Sequence, residues 1–369
     1  MVFREPLVKL NLSIYVRNTA TALALLLSLY SVPANAGGSQ SLKILFSGHS
    51  LLDNPLPDWV ELIANSKGSK LDWQEQIVIG SPVRVRSWGD GDWAGYSYGK
   101  NKQGEGLDIA KELARPTKGR SYDALVLAEG HNLLGMILWE NAIGYLRDFH
   151  ELLITGNPQA QTYYYHSWLG LDKHDPKPWL AHEANAAEVW QCVAEKVRLS
   201  LEADGRPAGI VLLPAGSALA ELVRQIISGK VSGFEGDIEK QLDRIFVDDV
   251  HLTDIGIYYL AAVTYATIFQ LSPEGAAAPA SINAPLAREL QSLAWRFTQD
   301  YAQSKAADRP SMQSCRRVLV ERACNSYWTL KGEPEEARRC EGFFADIGPA
   351  SDNPFVWPDS HFKVLRNAR

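Results

Sequence analysis

Cysteine is scarce in this sequence and unevenly placed. Of four in 369 residues, Cys192 stands alone in the main body while Cys315, Cys324 and Cys340 crowd the C-terminal stretch. No C-x-x-C pair is present, which removes the usual ligand spacing of a zinc site, so no metal is expected. In an oxidising compartment two of the three clustered cysteines are expected to pair, with the partner choice open and one thiol left free. Long apolar runs are also missing: the longest, Thr19 to Val32, has about 14 residues where a bilayer needs ~20. Excess positive charge is lacking, the formal net charge being -6, and no basic stripe of the kind nucleic acid requires is present. Neither a phosphate-cradling glycine loop nor a dinucleotide fingerprint occurs, so no cofactor is expected.

What is there begins with Arg4, Lys9 and Arg17 ahead of the apolar run, followed by Ala34-Asn35-Ala36. Positive residues, a short apolar stretch and small residues at the end read as a secretory signal peptide over 1–36. An exported protein, periplasmic or secreted, with no membrane span after cleavage is the expectation. The remainder is long enough for one α/β domain, placed at 37–304, and a Cys-containing C-terminal extension at 305–369.

Strand-like and helix-like patterns alternate from residue 42. Short apolar runs at Leu42 to Phe46, Gln76 to Ile79, Ala124 to Ala128, Thr162 to His166 and Gly209 to Leu213 read as strands. Helical spacing appears at Pro57 to Ser66, Gly106 to Ala114, Met136 to Leu153, Ala181 to Leu201 and Ser217 to Ile227, then up to Leu271 and at Ala287 to Ala302. Residues 81–104, rich in Gly, Ser, Trp and Tyr without a period, read as a long surface loop. Alternation of this kind implies parallel strands joined by crossover helices, hence a three-layer α/β/α sandwich with a mainly parallel central sheet. Beyond Lys305 the pattern is weak, and the tail reads as a small stapled appendage or an irregular wrap.

Phe46-Ser47-Gly48-His49-Ser50-Leu51 puts a serine just past the end of the first strand, the end at which open α/β sheets bind ligands. A serine becomes a nucleophile only with a base, an orienting carboxylate and donors for an oxyanion. Asp248-Asp249-Val250-His251, in a loop before a helix, can supply the first two. These residues, with Gly80 in Val78-Ile79-Gly80-Ser81 and Asn132 in Glu129-Gly130-His131-Asn132, make the sequence resemble the SGNH (GDSL-like) hydrolase superfamily over about Leu42 to Leu271. Ser50, Gly80, Asn132 and His251 match its four signature blocks in order. Two positions depart from it: His49 stands where an aspartate normally precedes the nucleophile, and Leu133 where one commonly follows the asparagine.

The resemblance implies a flavodoxin-like sandwich in which Ser50 attacks an ester, His251 is the general base and Asp248 orients the imidazole. The Ser50 and Gly80 backbone N–H groups and the Asn132 amide would meet the oxyanion. Asp249 competes with Asp248, and the three-residue spacing favours Asp248. Taken singly, each residue has a plainer reading: a turn for Ser50, a loop glycine for Gly80, a helix cap for Asn132, a structural histidine for His251. His49, His131, Trp88 and Trp93 are candidate substrate contacts; stabilising the turn is the alternative for His49, and His131 and Glu129 either line the site or sit on the surface. Trp88, Asp90, Asp92, Trp93, Tyr96 and Tyr98 together resemble a sugar platform. His174 and His182 are expected on the surface. The expected activity is hydrolysis of a small-molecule or glycan ester, with polysaccharide O-acetyl groups preferred. Acyl transfer to a glycan, lipase or thioesterase activity, and non-catalytic carbohydrate binding are the alternatives.

Overall fold

Near-continuously apolar strands need cover on both faces, and the chain supplies it by following most of them with a helix. The computed structural model describes residues 40–88, 95–116, 119–305, 309–345 and 353–357, so the expected signal segment lies outside the described residues. Strand β1 (Ser41–Gly48) leads through α1 (Leu56–Ser66) to β2 (Lys70–Ile77), its parallel neighbour. Next come α2 (Val83–Trp88), the two-residue strands β3 (Gly99–Lys100) and β4 (Gly106–Leu107), and α3 (Ile109–Ala114). The expected loop at 81–104 is therefore corrected to a helix and an antiparallel edge. Its inner face is made by Val83, Val85 and a fully buried arginine, Arg86, which a hydrophobic period does not register.

After β5 (Ala124–Ala128), the single helix expected from Met136 to Leu153 is two, α4 (Leu133–Leu138) and α5 (Ala142–Gly156). They part at Asn141, whose φ of 49° is left-handed and incompatible with a continuous helix. Then follow β6 (Gln161–Tyr165), α6 (Lys177–Ala203), β7 (Ile210–Leu213), α7 (Ala215–Ile227), α8 (Ile238–Asp243), α9 (Asp254–Phe269) and α10 (Ala284–Lys305). The sheet order is β4-β3-β2-β1-β5-β6-β7. Its five long strands are mutually parallel, in the flavodoxin-like order second, first, third, fourth, fifth. That order reverses direction between β1 and β5, the place beyond whose C-terminal strand ends open α/β sheets bind ligands.

Strand alternation divides the core in two. Ile44, Phe46, Val126 and Tyr165 face α1, α7 and α9, while Leu45, Leu125, Leu127 and Tyr164 face α3, α5 and α6. Helix α9 is buried nearly all round because α10 covers its outer side. The three-layer sandwich stands as the sequence suggested.

The C-terminal extension is helical: α11 (Met312–Val318), a π-helical turn at Leu319–Ala323, α12 (Cys324–Leu330) and α13 (Glu336–Ala345). Met312, Leu319, Tyr327 and Phe344 join the core on the α5 and α6 side, and Arg309 ion-pairs with Glu195 and Glu202 of α6. Two disulfides, Cys192–Cys315 and Cys324–Cys340, use all four cysteines. The partner choice that the sequence left open falls to Cys192, which is buried facing the extension, 123 residues away along the chain from Cys315. His182, expected on the surface, is likewise buried beneath α12 with its Nδ1 3.3 Å from Ser326 Oγ. His174 is exposed. Among the described residues no helix is long and apolar enough to cross a membrane.

Because the Cys192–Cys315 link closes a loop of 123 residues, replacing both by alanine is expected to remove roughly 2 to 5 kcal/mol of stability. A urea titration reads this as a lower midpoint, and an unchanged midpoint would contradict it.

Candidate active site

The turn after β1 is possible only because position 48 is glycine. A Cβ there would lie 2.7 Å from Leu52 Cβ and 3.3 Å from Ala128 Cβ, so a side chain would push β1 away from β5. Leu52 N–H closes the turn on the His49 carbonyl at 2.9 Å. The His49 ring goes inward: it is buried, and its Nε2–H donates to the Glu129 carbonyl at 2.9 Å. Burial, reinforced by the positive charge of Arg86, pushes the imidazole down to about 3, so it is neutral at ordinary pH. Of the two expected roles for His49, the buried ring fits the one that stabilises the turn. The same turn leaves Ser50 half-buried just past the end of β1.

Opposite Ser50, the segment before α9 is a closed loop. Phe246 and Leu252 form an antiparallel bridge, and Val247 N–H donates to the His251 carbonyl at 2.8 Å. Asp248 Oδ1 accepts from the backbone N–H groups of Val250 (2.7 Å) and His251 (2.6 Å), which fixes the carboxylate. Its Oδ2 lies 2.7 Å from His251 Nδ1, and His251 Nε2 lies 3.0 Å from Ser50 Oγ. Burial alone would raise the Asp248 pKa, but hydrogen bonds from His251 and Val250 outweigh it and hold it at about 2. An ionised Asp248 selects the Nδ1–H tautomer and leaves Nε2 to accept from the serine. The Asp249 carbonyl accepts from Leu171 N–H at 2.8 Å, and the Trp168 indole N–H donates to the Val250 carbonyl at 2.9 Å. The loop after β6 thus braces the His251 loop.

Gly80 lies just past β2, next to β1, where Val78 N–H donates to the Gly48 carbonyl at 3.0 Å. Its φ of +70° would strain any side chain, and the space where a Cβ would sit is open. Asn132 follows β5 and caps α4, its Oδ1 accepting from Gly135 N–H at 3.4 Å. Asn132 and Tyr327 line one cavity, and the Asn132 side chain works against the upward push of burial on the Tyr327 phenol. His131 is exposed, with its ring centroid 5.8 Å from that of His49. Partial desolvation of the ring, with the positive charge of Lys331, lowers its pKa.

Beneath these loops runs a polar layer. Arg86 is fully buried; its Nε donates to Ser47 Oγ (3.1 Å), Nη1 to the Ser81 carbonyl (2.7 Å) and hydroxyl (2.9 Å), and Nη2 to the Ala128 carbonyl. One guanidinium thereby ties the ends of β1 and β5 to the loop after β2. Ser47 Oγ donates to Gln76 Oε1 at 2.7 Å. Glu129 is fully buried, not surface or site-lining, and its Oε1 accepts from Val83 N–H (2.8 Å) and Gly130 N–H (2.7 Å). Burial raises its pKa to about 7 despite the pull of Arg86 and these two donors.

The structure thus brings Ser50, His251 and Asp248 into direct contact and sets Gly80 and Asn132 on the strand ends beside Ser50. Of the aromatic stretch, Trp88 and Tyr98 are exposed, whereas Tyr96 turns inward to Asp148 at 2.8 Å and against Phe149. Tyr96 thus leaves the proposed sugar platform, and Asp90, Asp92 and Trp93 lie outside the described residues. Sequence reasoning missed Arg86, Tyr327 and Lys331; no motif marks any of them. Among the described residues no group of three His, Cys, Asp or Glu could hold a metal.

No protein-family profile and no curated protein sequence matches the chain. A similar solved structure is that of a DUF4886 family protein from Bacteroides uniformis ATCC 8492, at 14% identity and a TM-score of 0.47, covering 73% of this chain and 98% of that one.

The raised pKa of Glu129 has a stability consequence. Its folded value, about 7, exceeds its usual 4.5, so its contribution is full at pH below the lower value and is lost as pH rises through the higher one. Glu129→Gln, which cannot ionise, is expected to gain on wild type by on the order of 3 kcal/mol between about pH 4 and pH 8. Paired denaturant titrations across that range check it; a constant difference would contradict it.

Proposed function

We propose that the chain is a serine hydrolase of the SGNH type that cleaves carboxylic esters through an acyl-enzyme on Ser50. The observation that carries this is the unbroken chain of contacts Ser50 Oγ, His251 Nε2, His251 Nδ1, Asp248 Oδ2, at 3.0 Å and 2.7 Å. A serine, an imidazole and a carboxylate in that order are the parts that general-base activation requires.

In this reading Ser50 Oγ attacks the ester carbonyl carbon while its proton passes to His251 Nε2. The carbonyl oxygen becomes an oxyanion, facing the backbone N–H groups of Ser50 and Gly80 and the Asn132 amide. That amide has two N–H donors, and its Oδ1 is held by the Gly135 N–H, which orients it. The carbon–oxygen bond to the alcohol then breaks, and His251 returns its proton to the leaving alkoxide. Water repeats the sequence on the acyl-enzyme, releasing the carboxylic acid and restoring the serine hydroxyl. Buried Arg86 takes no proton; it keeps the strand ends that carry Ser50, Gly80 and Asn132 in register.

Transfer of the acyl group to a sugar hydroxyl uses the same atoms, and the exposed Trp88 and Tyr98 are the observation favouring a glycan as alcohol or acceptor. An exported location, expected from residues 1–36, belongs to the same reading.

Wild-type protein is expected to hydrolyse p-nitrophenyl esters, and Ser50→Ala and His251→Ala each to lose roughly 10⁴-fold or more in kcat. Asn132→Ala is expected to lose about 10²- to 10³-fold, the worth of one oxyanion donor. Steady-state kinetics decide; turnover that survives in Ser50→Ala would overturn the proposal.

A further inference from the structure

A cavity of about 360 Å³ lies between α4 and the C-terminal extension, bounded by Asn132, Leu138 and Trp139 on one side and Tyr327, Phe343 and Phe344 on the other. Its size falls within the ~300 to 1,000 Å³ of small-molecule sites. Single exposed apolar residues carry no meaning, but here Trp139 is 76% exposed and Phe343 46% exposed on opposite walls of one cavity. Among the described lining residues the charged side chains are Glu336 and Arg339, which pair with each other at 2.7 Å. The described walls thus offer mainly apolar surface. The Cys324–Cys340 disulfide joins the two helices of the outer wall, and Cys340 itself faces the cavity.

One member of the wall belongs to both places. Asn132 bounds the cavity and, on the reading above, donates to the oxyanion. An ester bound at Ser50 has its alcohol oxygen within reach of His251, because that imidazole must protonate it. A group that passes Asn132, on the oxyanion side, is therefore attached to the carbonyl carbon and belongs to the acyl part.

We infer that this cavity is the acyl subsite of the enzyme and takes an unbranched acyl chain of medium length, well beyond acetyl. The inference rests on the acyl-enzyme reading of Ser50. It gives the extension a function: α12 and α13 build the wall that sets acyl length, and Tyr327 joins that wall to the oxyanion asparagine. An acetyl group would leave Trp139 and Phe343 without a ligand to cover them.

The test is hydrolysis of p-nitrophenyl acetate, butyrate, hexanoate and octanoate by the full chain and by its Leu138→Trp, Phe343→Ala and Ser50→Ala variants. In wild type, kcat/KM is expected to rise about four-fold per methylene from acetate to hexanoate, the equivalent of ~0.8 kcal/mol per buried CH₂. Leu138→Trp fills the cavity and is expected to cut the hexanoate-to-acetate ratio by about ten-fold or more; Phe343→Ala lowers the same ratio. Because each ratio is measured within one preparation, loss of folded protein cancels. A flat series in wild type, with turnover still dependent on Ser50, would overturn the subsite and spare the hydrolase reading. A ratio unmoved by Leu138→Trp would do the same. Absence of Ser50-dependent turnover on every ester would overturn both.

Discussion

Arg86 is a cation with no access to solvent, and the mouth of the sheet is organised around it. Three of its nitrogens donate to groups on three different segments: the end of β1, the loop after β2 and the end of β5. Taking a guanidinium out of water costs several kcal/mol, and only a full set of acceptors at good distance offsets that. Those acceptors are two backbone carbonyls and two serine hydroxyls, so the cation dictates where the three strand ends lie. Burial lowers its pKa to about 10, which still leaves it charged at neutral pH.

The catalytic reading depends on this register. Ser50, Gly80 and Asn132 come from three separate segments, and an oxyanion cradle requires their donors to converge on one point within tenths of an ångström. His251 arrives from the other side, on a loop held by backbone hydrogen bonds to Asp248 and by the indole of Trp168. The C-terminal extension completes the arrangement. It is fastened to α6 by Cys192–Cys315 and the Arg309 ion pairs, and it sets Tyr327 against Asn132. A segment remote in sequence thereby borders the site.

Much of this was legible in the sequence where physics is local. Short runs of Val, Ile, Leu and Tyr alternating with helical spacing gave the sandwich, because a parallel strand buried on both faces has no other composition open to it. The contacts among Ser50, His251 and Asp248 were legible from a serine just past a strand end and an Asp-x-x-His ahead of a helix. What stayed hidden was long-range or polar. Arg86 and His182 read as surface residues, and the burial of Glu129 was not foreseen, because hydrophobic periodicity counts a polar side chain as outside, whatever its hydrogen bonds. Pairing of Cys192 with Cys315 needs contact across 123 residues, which no spacing encodes. The break at Asn141 is a backbone event within an otherwise helical pattern, and Tyr96 turns inward because Asp148 and Phe149 receive it.

The central claim is that Ser50 is a nucleophile activated by His251 and Asp248. Its most direct test is mass-spectrometric mapping of full-length protein after treatment with a fluorophosphonate. The account predicts a single covalent adduct on the peptide carrying Ser50, absent from Ser50→Ala and formed far more slowly in His251→Ala. No adduct on folded wild-type protein, or one at another residue that survives Ser50→Ala, would contradict it.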